Sequence, residues 1–100
     1  MSTGIVRVTR PNAWSGKFRA LRILIDDIDH GKIKSNETKE FPVDNGTHTV
    51  YVRIDFQKSQ TLLVHVDNSV VTVEASLPLT IYSNNPRLRH VSEEPLSVEK

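Results

Sequence analysis

The stretch GTHTVYVRIDF, residues 46–56, decides the fold. Its even positions carry His48, Val50, Val52, Ile54 and Phe56, and its odd positions carry Thr47, Thr49, Tyr51, Arg53 and Asp55. Successive side chains of a strand point to opposite faces, so strict period-two alternation makes one apolar face and one wet face. That is the pattern of a central strand in an antiparallel sheet with one side on a core. Asp44-Asn45-Gly46 before it is a turn signal, because all three residue types accept turn geometries.

Working outward, residues 5–10 (IVRVTR) alternate with Val6 and Val8 inward and Arg7 and Thr9 outward, and Pro11-Asn12 ends that strand. Residues 18–26 (FRALRILID) place Leu21, Ile23 and Ile25 on one parity. Leu24 on the other parity predicts cover on both faces near the strand's end. Residues 26–31 (DDIDHG) predict a hairpin closed by Gly31, followed by a short strand at 32–34 and a turn at Ser35-Asn36. In residues 38–43 (TKEFPV), Pro42 cannot donate to a ladder and confines the strand to an edge.

Downstream, residues 57–60 read as a polar loop. Residues 61–66 form a strand with Leu62, Val64 and Val66 inward, and Asp67-Asn68-Ser69 turns it into a hairpin with residues 70–75. Residues 77–82 (LPLTIY) make a last edge strand. From 84 to 100 the chain has two prolines and few apolar side chains, which predicts a disordered or loosely docked tail after a domain at 1–83.

Seven or eight short strands, with turn signals every eight to twelve residues and no helical period, describe an all-β antiparallel sandwich of immunoglobulin or prealbumin type, with a small closed barrel as the alternative. Composition agrees. Alanine occurs only at 13, 20 and 75, and 37% hydrophobic content over 100 residues supports one core and one domain. The absence of cysteine excludes disulfides and thiolate metal sites and fits a reducing compartment. No apolar run has the length of a leader or a membrane span, so the expectation is a soluble, cytoplasmic protein.

The block Ile25-Asp26, Gly31-Lys32-Ile33, Asn36-Glu37-Thr38, Phe41 and Gly46-Thr47-His48-Thr49-Val50 resembles small bacterial β-sandwich modules of the PEGA and carboxypeptidase-regulatory-like type. Asp27 stands where that pattern has glycine, and Asp44-Asn45-Gly46 replaces its proline-glycine turn. The resemblance covers residues 5–75 and implies a prealbumin-like sandwich. It implies no activity, since its fixed positions are turn and core residues and a fold hosts many functions.

No catalytic, cofactor or metal signature emerges. Asp26, Asp27, Asp29 and His30 have carboxylates at near-alternate positions, but they lack the distal glutamate of a calcium loop and read as a turn. The histidines at 30, 48, 65 and 90 offer no two-ligand spacing. His48, on the apolar row beside a turn, reads as a hydrogen-bonding cap, and His65 as a surface residue. No serine stands in a nucleophile elbow, and no glycine-rich phosphate loop exists.

What remains is charge. Net charge is only +1, yet residues 1–25 hold Arg7, Arg10, Lys17, Arg19 and Arg22 without an acidic residue. If the first, second and central strands share a sheet, Arg7, Arg22, Tyr51 and Arg53 share its outer face. Trp14 and Phe18, flanking Ser15-Gly16-Lys17, offer a second anchor. The reading is a non-enzymatic binding or assembly module for a protein partner, acidic where it meets the basic face. A binder of nucleic acid or another anionic surface, using the basic N-terminal strands, is the alternative.

Overall fold

A computed structural model describes residues 3–11, 20–54, 57–76 and 86–95. They form β1 (Thr3–Arg10), β2 (Leu21–Ile25), β3 (Ile28–Ile33), β4 (Glu37–Asp44), β5 (Gly46–Ile54), β6 (Gln57–Lys58), β7 (Leu62–Val66), β8 (Ser69–Ser76) and β9 (Arg87–Pro95). One sheet runs β4-β1-β8-β9. The other runs β3-β2-β5-β6, with β7 pairing β5 next to β6. The all-β sandwich expected from the alternation is the observed architecture, and among the described residues no helix is long and apolar enough to cross a membrane.

The inward parities meet between the sheets. Val6 and Val8 of β1 and Val71 and Val73 of β8 share one buried cluster with Ile23 of β2, Val50 and Val52 of β5, and Val66 of β7. Burying each such side chain contributes about 1.5–3 kcal/mol, so this interior is the main stabilising term. At its margin Arg10, 3% exposed, gives its Nη1–H to the Ile33 carbonyl (3.1 Å), and burial pushes its pKa down. Leu24 is buried despite its outward parity, as expected. Pro42 lies in β4, an edge strand, opposite Ile5.

Two one-step crossovers carry the chain between sheets at the same end, β4 to β5 through Asn45 and β7 to β8 through Asp67-Asn68. They are tied together. Asn68 N–H donates to Asn45 Oδ1 (2.9 Å), and Asn45 Nδ2–H donates to Asn68 Oδ1 (3.3 Å). Asn68 has φ 49°, a left-handed conformation that asparagine tolerates better than most residues.

The structure corrects four expectations. The β2–β3 hairpin turns at Asp26-Asp27 rather than at Gly31: φ is 53° and 64°, Ile25 faces Ile28, and two consecutive left-handed residues define a type I′ hairpin turn. Gly31, at φ 105°, sits inside β3, where the register shifts between Arg22 and Leu24. β7 and β8 form no hairpin, because β8 crosses to the other sheet and pairs β1 in parallel. β1 therefore lies in the sheet opposite β2 and β5.

Fourth, the segment expected as a tail contains β9, laddered on β8 from Ser69↔Pro95 to Ser76↔Arg87. An edge strand needs only a backbone ladder and a few apolar anchors. Here Leu88 is 1% exposed, and its N–H and carbonyl are both engaged by the Gln60 amide. The expected loop at 57–60 begins with β6, and its third residue, Ser59, is buried, its N–H reaching the Val52 carbonyl (2.8 Å) and its Oγ accepting from Val52 N–H (3.1 Å). The strand expected at 77–82 lies outside the described residues.

Candidate functional site

The outer face of the β3-β2-β5-β6 sheet carries a row of cations in register. Lys32 of β3 faces Arg22 of β2, Arg22 faces Arg53 of β5, and Arg53 faces Lys58 of β6. Directly opposed residues of antiparallel strands share a face, so the row spans three strand spacings, about 14 Å. Each opposed like-charge pair is destabilising by a few tenths to about 1 kcal/mol, a cost borne by the isolated domain.

Among the described residues one carboxylate lies beside the row. Asp29, on β3, takes Arg22 Nη1 at 2.9 Å and Gly31 N–H at 2.8 Å. The Gly31 bond, opposed by some desolvation and joined by the Arg22 charge, holds the Asp29 carboxyl below its usual range. Lys32, Arg53 and Lys58 form no ion pair with a described residue. Lys58 Nζ instead lies 4.6 Å from the centroid of the Tyr51 ring, and Tyr51 faces Leu24 in the next row. Ala20, Arg22, Lys32, Arg53 and Ile54 line a cleft of about 260 Å³ on this face.

Arg22, Tyr51 and Arg53 are thus brought together as the sequence suggested, but Arg7 is not. It projects from the opposite sheet, where its Nε–H donates to Glu40 at 2.7 Å. Trp14 and Phe18 lie outside the described residues. Lys32 and Lys58 escaped the sequence reading because the register shift in β3 hides the parity of the first, and the second sits in a two-residue strand that reads as loop.

A second cluster stands at the crossover end. Both His48 ring nitrogens meet acceptors, Nδ1 the Asp26 carboxylate and Nε2 the Asp44 carbonyl, each at 2.6 Å. Only a doubly protonated ring donates to both. Burial works to lower the His48 pKa, but the hydrogen bonds and charges of Asp26 and Asp44 outweigh it and the pKa is raised. The Asp26 carboxyl is lowered, chiefly by the His48 bond, while its Oδ1 also accepts Thr49 N–H (3.0 Å). His48 is the expected cap, fastening the hairpin turn to the crossover.

A cleft of about 310 Å³ adjoins this cap, with Ile28, Pro42 and His30 on its walls. The four residues weighed as metal ligands are engaged separately: Asp26 and Asp27 make the turn, Asp29 holds Arg22 and Gly31, and the His30 ring lies 5.2 Å from Phe41. Comparison with protein-family models, curated proteins and solved structures finds no match to this chain.

Proposed function

We propose that the chain is a non-enzymatic binding or assembly module whose basic sheet face docks an acidic protein surface. The observation that carries this reading is the in-register row Lys32–Arg22–Arg53–Lys58, with Asp29 its one neighbouring carboxylate among the described residues. A rigid sheet presents these cations at fixed spacing, so a partner with carboxylates at similar intervals relieves the repulsion and gains charge-assisted bonds.

The nucleic-acid alternative draws less support. Its basic N-terminal strands part into two sheets, Arg7 is paired with Glu40, and the Tyr51 ring a base would stack on is covered by Lys58. The prealbumin-like character implied by the family resemblance is part of the same proposal and adds no site.

The test is titration of an oligoglutamate peptide and a single-stranded oligonucleotide against the chain and its R22E/R53E variant, with circular dichroism as the folding check. The proposal predicts peptide binding that weakens with salt and is lost in the variant. Preference for the oligonucleotide, or peptide binding that survives the double reversal, contradicts it.

A further inference from the structure

Six of the ten described acidic residues stand at the end away from the cation row, one of them, Asp26, bonded to His48; Asp29 lies beside the row, Glu40 pairs Arg7, and Glu37 and Glu74 lie toward the other end. The crossovers carry Asp44 and Asp67, the adjoining hairpin turn carries Asp27, and the far half of β9 carries Glu93 and Glu94, all exposed. No described lysine or arginine lies at that end, since β1, β2, β5 and β8 place Arg10, Arg22, Arg53 and the Arg87 partner Ser76 at the other. Along β5 the two poles stand seven residues apart, Gly46 to Arg53, or about 23 Å at strand rise.

Both poles carry a cleft. At the acidic one the Asp26-Asp27 tip projects beside the cleft that Asp26, Asp44 and His48 line, with Ile28 61% exposed next to the tip. At the basic one the cleft lies between Arg22, Lys32 and Arg53. With a net charge of only +1, the axial separation of charge outweighs overall repulsion between copies.

We propose that the acidic surface received by the basic face is the acidic pole of a second copy of this chain, so that copies join head to tail. This rests on the reading of the basic face given above and names its partner. The contact uses different patches on the two copies, so each addition leaves one pole of each kind unfilled and the assembly propagates as an open chain or closes as a ring. Asp27, at the left-handed tip, enters the cleft toward Arg22 and Arg53, and Asp67 and Asp44 lie alongside the row.

The experiment is sedimentation of the full chain over a range of concentrations at about 0.01 M and about 1 M salt, where charges are screened beyond roughly 30 Å and 3 Å respectively. The weight-average mass should rise with concentration past twice the 11.3 kDa of the monomer at low salt and return to the monomer at high salt. R22E/R53E removes one pole and D27K/D67K the other, with circular dichroism confirming that each folds. Each variant alone should stay monomeric, and an equimolar mixture should associate through the one intact contact it can form. A monomeric wild type at low salt, or a variant that self-associates as the wild type does, overturns the proposal. A monomer that still binds oligoglutamate through Arg22 and Arg53 refutes self-assembly and leaves the basic-face reading standing. Loss of both refutes both.

Discussion

Gly4 offers the sharpest probe of the packing. A Cβ built on it would lie 2.2 Å from Val66 Cγ1, 2.6 Å from the Ser69 carbonyl oxygen and 3.3 Å from Ser69 N, so Gly4→Ala drives a methyl into the seam where β1 meets the β7–β8 crossover. Val66 is fully buried and has little room to rotate away, and the Ser69 oxygen belongs to the β8 backbone. Overpacking of this kind costs about 1–3 kcal/mol, and a contact with backbone argues for the upper part of that range. Alanine restricts the unfolded chain and returns about 0.4–1 kcal/mol. The net loss is about 1–2.5 kcal/mol, a fall in thermal midpoint of roughly 5–20 °C at about 4–8 °C per kcal/mol. Thermal unfolding by circular dichroism measures it, and Val66→Ala in the same background identifies the cause. If the Val66 methyl is the obstacle, the double variant loses less than the sum of the singles, a coupling of order 1 kcal/mol. A Gly4→Ala protein as stable as the wild type would refute the crossing of β7 into β8 against β1.

Three further outcomes follow from the same geometry. Val52→Asp places an unpaired charge at a fully buried site, a cost of several kcal/mol against a total stability of about 5–15, and should abolish cooperative unfolding, whereas Arg53→Asp one residue away should fold. Removing residues 86–100 strips β9 from β8 and exposes the pocket of Leu88, so the thermal midpoint should fall by more than about 10 °C or the transition should vanish. The His48–Asp26 clasp makes stability depend on pH. The raised His48 contributes fully below its ordinary 6.5 and is lost as pH climbs through its folded value, while the lowered Asp26 contributes above its ordinary 3.8 and is lost as pH falls through its folded value. The midpoint should therefore be higher near pH 5.5 than near pH 8 in the wild type, with that difference gone in His48→Gln.

The strands were legible because each buries one parity, and Val6, Val8, Leu21, Ile23, Val50, Val52, Val64 and Val66 all lie where the alternation put them. What alternation does not encode is which of two sheets a strand joins. A valine row facing the core looks the same from either side, so β1 was grouped with β2 and β5, and β8 with β7, although single-residue and two-residue crossovers divert the chain at Asn45 and at Asp67-Asn68. The His48 cap was legible from its place on the apolar row next to a turn. β9 was hidden because its stability lies in backbone pairing, Leu88 and the Gln60 amide rather than in apolar content. Half of the cation row was visible in Arg22 and Arg53. The other half required the register of β3 past its irregularity and the existence of β6.

The central claim, that the face bearing Arg22 and Arg53 is the docking surface, is tested most directly by two isocharge variants. Arg7→Glu and Arg53→Glu change net charge equally, but Arg7 lies on the outer face of the opposite sheet beside Glu40, while Arg53 stands in the middle of the row. Affinity for the same oligoglutamate peptide, measured at one low salt concentration, should fall at least about tenfold in Arg53→Glu, since a charge-assisted bond contributes about 1.5–3 kcal/mol, and only slightly in Arg7→Glu. Equal losses in the two variants would mean that the peptide senses overall charge rather than this face, and would contradict the account.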